Sequence, residues 1–143
     1  MPSSASAFVL DSRLDADTLL IGDLALCRIL LMNDARFPWL ILVPRQADLR
    51  DLIDLDEIDQ ARLLVEINTC AHALRALTKP DKLNIATLGN VVAQLHVHVI
   101  ARFVDDAAWP RPVWGVDTAE AYAASARENR LSTLRRALGI AGR

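Results

Sequence analysis

Two of the three histidines in this chain, His96 and His98, stand two residues apart in the run Gln94-Leu95-His96-Val97-His98-Val99-Ile100. Side chains alternate along an extended strand, so Gln94, His96 and His98 share one face while Leu95, Val97 and Val99 share the other. A neutral imidazole held by a hydrogen bond at one ring nitrogen offers a nucleophilic lone pair at the second. The same spacing also suits half of a metal site, or a strand that shows imidazoles to solvent or to a partner. A metal site asks for a third ligand. His72 lies in a helical pattern and Asp105 and Asp106 follow downstream, so spacing alone leaves all three readings open.

A polar face over an apolar one needs a rigid support, and the rest of the chain supplies the pieces. Thr18 to Met32 reads as one or two strands, and Trp39 to Val43, between Pro38 and Pro44, as another. From Asp54 to Thr78 the period lengthens. Ile58, Leu63, Ile67, Ala71, Leu74 and Leu77 form the stripe of an amphipathic helix, with Asp54 and Glu57 as its capping pair and Lys79-Pro80 as its stop. Lys82 to Ala86 and Gln94 to Arg102 read as two further strands around a turn at Gly89-Asn90. A second helix is expected from Asp117, with Glu120 three residues on, through Leu138. The order predicts an α+β domain, an antiparallel sheet with a long helix and a C-terminal helix, over residues 1–143 as one unit.

Composition narrows the partners. The 143 residues are 52% hydrophobic, enough for one domain with a real core, and carry 16 basic against 18 acidic residues with no block of like charge. A nucleic-acid polymer would ask for a basic face, so that partner is disfavoured; a small phosphorylated ligand needs only a few donors. Cys27 and Cys70 form no CxxC pair and read as free thiols. Met1 to Ala7 lacks the basic and apolar regions of a signal peptide, and no apolar run is long enough to span a membrane, so a cytoplasmic location is the default expectation. Neither GxGxxG nor P-loop spacing occurs.

The strand and its approach resemble the signature of the histidine triad family, in which His-x-His-x-His and two apolar residues follow a Gly-Gln or Gly-Asn turn. Here the matching run is Gly89-Asn90, then Gln94 to Ile100, closed by Arg102. Leu31-Met32-Asn33, Pro38 and Leu40 to Arg45 look like the family's nucleotide-lining strand pair, and the helix near Asp56 falls where the family places its long one. The resemblance covers roughly residues 20–105 and leaves 106–143 as a tail and helix. It implies a histidine triad fold, a homodimer, no cofactor and no catalytic metal. It further implies a nucleotide-like substrate, whose α-phosphate is attacked to give a covalent nucleotidyl-histidine that water or another acceptor then releases.

Carried over by position, the resemblance makes His96 the nucleophile, its second nitrogen held by a main-chain carbonyl of the same strand. It makes His98 a donor to a substrate oxygen, and Gly89 with Asn90 the phosphate-holding turn. Asn84 matches an amide near the phosphate or leaving group, and Asn33 the contact to the ribose hydroxyls. Asn33-Asp34 and Gly89-Asn90 are also plain turn formers. Two departures matter. Gln94 replaces the first histidine of the triad, a position that shapes the hydrogen-bond network, and Val91 stands where many phosphoramidate hydrolases carry serine. Phosphoramidates are thereby disfavoured, while dinucleoside polyphosphates and other adenylated compounds stay open. The rival reading is a nucleotide-binding regulatory homodimer with little turnover. Arg102 is expected to meet Asp105 or Asp106 rather than a phosphate, and Trp109 and Trp114 to pack.

Overall fold

A computed structural model describes residues 7–141. Helix α1 (Ser12–Asp17) leads into strands β1 (Thr18–Asp23), β2 (Cys27–Met32) and β3 (Trp39–Pro44). The long helix α2 (Glu57–Thr78), strands β4 (Lys82–Ala86) and β5 (Val97–Arg102), and helix α3 (Ala124–Leu138) follow. The strands form one sheet in the order β1-β2-β3-β5-β4, antiparallel at every junction. This is the expected α+β architecture. No described helix is long and apolar enough to cross a membrane.

The central strands are apolar on both faces because both faces are covered. On one side Leu31, Leu40, Leu42, Val97 and Val99 pack with Leu63, Cys70 and Leu74 of α2 and Leu131 and Leu134 of α3. On the other, Leu30, Trp39, Ile41 and Ile100 lie under Leu14 and the irregular segment carrying Ala108, Val113 and Val116. The alternation along β5 is thus real: Val97, Val99 and Ala101 face the helices and Ile100 the opposite layer. Buried Glu66 joins α2 to the start of β2, its two carboxylate oxygens accepting from the N–H groups of Leu26 and Cys27 at 2.8 Å each. Cys27 and Cys70 are free and buried beside it, and burial, then the Glu66 charge, pushes both thiols up.

Three boundaries differ from expectation, each for a local reason. The N-cap of α2 is Asp56, which accepts from Asp59 N–H, whereas Asp54 accepts from the N–H groups of Arg50 and Asp51 and closes a preceding single turn, Leu52–Asp54. Between the two aspartates Leu55 is extended and buried, which breaks the helix start in two. Ile58 and Leu77, counted in the apolar stripe, are exposed; the buried face runs through Leu63, Glu66, Cys70, Ala73 and Leu74.

Helix α3 starts at Ala124, seven residues after Asp117 in the chain. The backbone of residues 116–122 is spent on tertiary hydrogen bonds: Val116 and Glu120 accept from Arg36 and Ala35, while Glu120 and Tyr122 donate to Asp34 and Asn33. Strand β5 begins at Val97, not Gln94. Ahead of it Leu95 N–H bonds out of the sheet to Leu49 O, and residues 87–96 form a loop over the sheet.

Candidate active site

His98 and Ile41 are register partners on neighbouring strands, and Trp39 sits two residues along β3 on the same face, diagonal to His98. Diagonal neighbours lie within reach of a large side chain. Trp39 uses that reach to donate its indole N–H to His98 Nδ1 at 2.9 Å. An indole nitrogen can only donate, so Nδ1 of His98 must be the unprotonated nitrogen and Nε2 carries the hydrogen. Burial, reinforced by the adjacent His96, pushes the His98 pKa down to about 3, so the ring is neutral throughout the physiological range.

His96 has the opposite arrangement. Its Nδ1 lies 2.6 Å from the carbonyl oxygen of Gln94. A carbonyl can only accept, so Nδ1 carries the hydrogen, and the neutral form of this ring has its lone pair at Nε2. Thr87 donates its hydroxyl to His96 O at 2.8 Å and steadies the backbone that sets the ring. The two imidazoles stand edge to face with ring centroids 4.8 Å apart, both nearly buried. One offers a lone pair and its neighbour a hydrogen.

Both rings line a cleft of about 330 Å³ whose other walls include Leu14, Asp17, Leu88, Gly89, Asn90, Val91 and Trp114. Gly89 has φ of 83°, in the left-handed region that a side chain disfavours, and the next residue, Asn90, lines the cleft. Trp114 stands edge to face with His98 and with Trp39, ring centroids 4.9 Å and 5.8 Å apart. It also lines a second cleft of about 400 Å³, which shares Asp17 and Met32 with the first and is lined in addition by Asn33 and Arg36.

Among the residues singled out from sequence, His96, His98, Gly89 and Asn90 come together in the first cleft, and Asn33 lies in its neighbour. Gln94 does not line either cleft. Its amide clasps the N-terminal segment, with Oε1 accepting from Asp11 N–H and Nε2 donating to Val9 O, at 2.8 Å each. The side chain therefore anchors the approach to α1 while its main-chain carbonyl holds His96. Asn33 gives its Oδ1 to Tyr122 N–H at 3.0 Å, which commits that oxygen to docking the C-terminal segment.

Asn84 stands outside both clefts; its Oδ1 accepts from Arg102 Nη1 at 2.8 Å. Arg102 in turn forms a two-pronged ion pair with Asp106 and donates to Arg111 O. Burial works against the Asp106 carboxylate, but Arg102 and the N–H groups of Phe103, Ala108 and Trp109 hold its pKa well below the usual range. Among the described residues no three His, Cys, Asp or Glu side chains stand together as a metal cluster.

Trp39, Thr87, Asp17 and Trp114 were not marked as site residues by sequence reasoning. The sequence signal for Trp39 is a hydrogen-bond donor inside an otherwise apolar strand, a position where a buried indole N–H must find a partner.

Comparison with known proteins places these features in a family context. The family model described as the HIT domain matches residues 13–105. A histidine triad protein from Bradyrhizobium japonicum is 55% identical, with a TM-score of 0.91 over 92% of this chain and 98% of that one. One from Sinorhizobium meliloti is 45% identical, with a TM-score of 0.89 over 93% and 98%. One from Marinobacter aquaeolei is 41% identical, with a TM-score of 0.91 over 94% and 98%. No curated protein sequence matches the chain.

Proposed function

Because this chain belongs to the histidine triad family, we propose that it is a nucleotidyl hydrolase or transferase in which His96 attacks the α-phosphorus of a nucleotide derivative. Family membership supports the class, nucleotide-binding hydrolases and transferases. The observation that carries the specific reading is the hydrogen bond from His96 Nδ1 to Gln94 O. It frees Nε2 as a nucleophile in a cleft where His98 presents an N–H.

In the first step the Nε2 lone pair of His96 forms a bond to phosphorus, and the bond from phosphorus to the leaving oxygen breaks. The ring keeps its Nδ1 hydrogen and takes on positive charge, which the Gln94 carbonyl stabilises. His98 donates from Nε2 to an oxygen on phosphorus, aided by the Asn90 side chain, as charge builds there. His98 does not give its hydrogen away, since losing it from a ring already neutral would leave an imidazolate. The leaving oxygen therefore takes its proton from solvent. In the second step water attacks phosphorus and gives up a proton to solvent, the electron pair of the P–N bond returns to His96, and a nucleoside monophosphate departs.

The test is a panel of nucleotide derivatives scored for release of nucleoside monophosphate by the wild type and by His96→Ala. Release that disappears in the variant supports the reading. Tight binding of a nucleoside monophosphate with no release from any derivative would favour a regulatory binding protein instead.

A further inference from the structure

The loop that carries Asn90 has few hydrogen bonds of its own. Among the described residues, 88–94 form no backbone–backbone hydrogen bond. The two ends of the loop are fixed: Thr87 Oγ1 donates to His96 O, and Leu95 N–H donates to Leu49 O. Between those ends, the hydrogen bonds that tie the loop to the rest of the described chain run to the N-terminal segment. Gln94 clasps Val9 and Asp11, and Arg13 donates from Nη1 to Val91 O at 2.7 Å. Val92 adds an apolar contact with the buried cluster that includes Leu14. A stretch this poor in internal bonds gains motion when an outside tie is cut.

Arg13 is held in place to make that tie. Asp11, the N-cap of α1, accepts from Arg13 N–H and meets the guanidinium with both carboxylate oxygens, Nε to Oδ1 at 3.3 Å and Nη2 to Oδ2 at 3.2 Å. The fork leaves Nη1 for Val91 O. The Arg13 charge is matched by Asp11, and the side chain is not among those that line the cleft. Its route to the chemistry is therefore the loop. Resting on the nucleotidyl-transfer reading above, we propose that Arg13 is a positioning residue for that reaction, holding Val91 O so that the adjacent Asn90 stays in place for the oxygens on phosphorus. The side chain is 55% exposed, and an ion pair in such a setting contributes little to folding stability, which separates positioning from a purely structural role.

The experiment is a double-mutant cycle of Arg13→Ala and Asn90→Ala, read as kcat and KM for release of nucleoside monophosphate. The probes are a p-nitrophenyl ester of a nucleoside 5′-monophosphate, a phosphoramidate of the same nucleotide and the corresponding dinucleoside triphosphate, and the compound turned over fastest is followed. Arg13→Ala should lower kcat about tenfold and change KM by about twofold or less, because Asn90 acts on charge that builds in the transition state. In the Asn90→Ala background the same change should cost about twofold or less. Arg13→Lys, which keeps one donor for Val91 O, should reduce the loss to about threefold. Tm should move by about 3 °C or less in Arg13→Ala, while amide exchange at Val91 and Val92 rises about tenfold. An unchanged kcat in Arg13→Ala, or a loss that persists in full without the Asn90 side chain, would overturn the role of Arg13 and leave the His96 mechanism standing. Failure of the wild type to release monophosphate from all three compounds would overturn the nucleotidyl-transfer reading, and the role of Arg13 with it.

Discussion

Trp39 Nε1 donates to His98 Nδ1 across 2.9 Å, while 4.8 Å away, centroid to centroid, His96 donates from its own Nδ1 to Gln94 O. Neighbouring imidazoles are thus locked in opposite tautomers by partners that can act in only one sense. In the proposed mechanism, the Trp39 contact makes His98 a fixed donor and not a proton shuttle.

Trp39→Phe keeps most of the packing and removes only the donor. The His98 ring then samples both tautomers and titrates more easily. We expect kcat to fall roughly 10- to 100-fold with KM little changed, the usual cost of losing a partner that orients a functional imidazole. Nitrogen NMR shifts of the His98 ring should show the mixed tautomer. A single Nε2–H form with unchanged kcat would refute the tautomer assignment.

The depressed pKa of His98 makes stability depend on pH. The unfolded imidazole takes up a proton near its ordinary value of 6.5, while the folded ring stays neutral down to about 3. Stability from this group is therefore complete above pH 6.5 and is lost progressively as pH falls through that window. Between pH 7 and pH 5 the loss is on the order of 2 kcal/mol. Denaturant titrations of the wild type and His98→Asn at both pH values isolate it, because the variant should lack that slope.

Gln94→Ala separates the two roles of that residue. The carbonyl that holds His96 remains, but the clasp on Val9 and Asp11 goes. A stability loss of about 1–2 kcal/mol is expected, with faster amide exchange at Asp11. The covalent step at His96 should persist. Its disappearance in a folded variant would mean that the Gln94 side chain itself takes part.

The alternation of Leu95, Val97 and Val99 with His96 and His98 is legible in the chain because strand periodicity constrains each side chain to a face, and the helix-covered core follows from it. The turn at Gly89-Asn90 is legible for the same kind of local reason. The partners of the neighbours are not. Gln94 reads as a member of the polar face, yet its amide is drawn away by the backbone of residues 9–11, more than eighty positions distant. Asn33 and Asn84 are similarly claimed by Tyr122 and Arg102. The start of α3 is hidden because its would-be first turn is held by Asn33 to Arg36, a pairing that local propensity cannot reveal.

That docking is itself testable. Asp34 is almost buried, pairs with Arg36 at 2.9 Å and accepts from Glu120 N–H. Asp34→Ala leaves the Arg36 charge largely shielded from water without its partner, and we expect a loss of about 3 kcal/mol. Amide exchange at Glu120 and Tyr122 should rise. Unchanged protection there would show that other contacts hold the segment.

The central claim is that His96 becomes covalently bonded to phosphorus. Incubation with a nucleoside monophosphate ester labelled at the α-phosphorus, quenched at early times and mapped by mass spectrometry, tests it directly. The proposed mechanism predicts label on His96 in the wild type, none in His96→Ala, and slower accumulation in His98→Asn. Release of nucleoside monophosphate at full rate by His96→Ala, or label found on another residue, would contradict it.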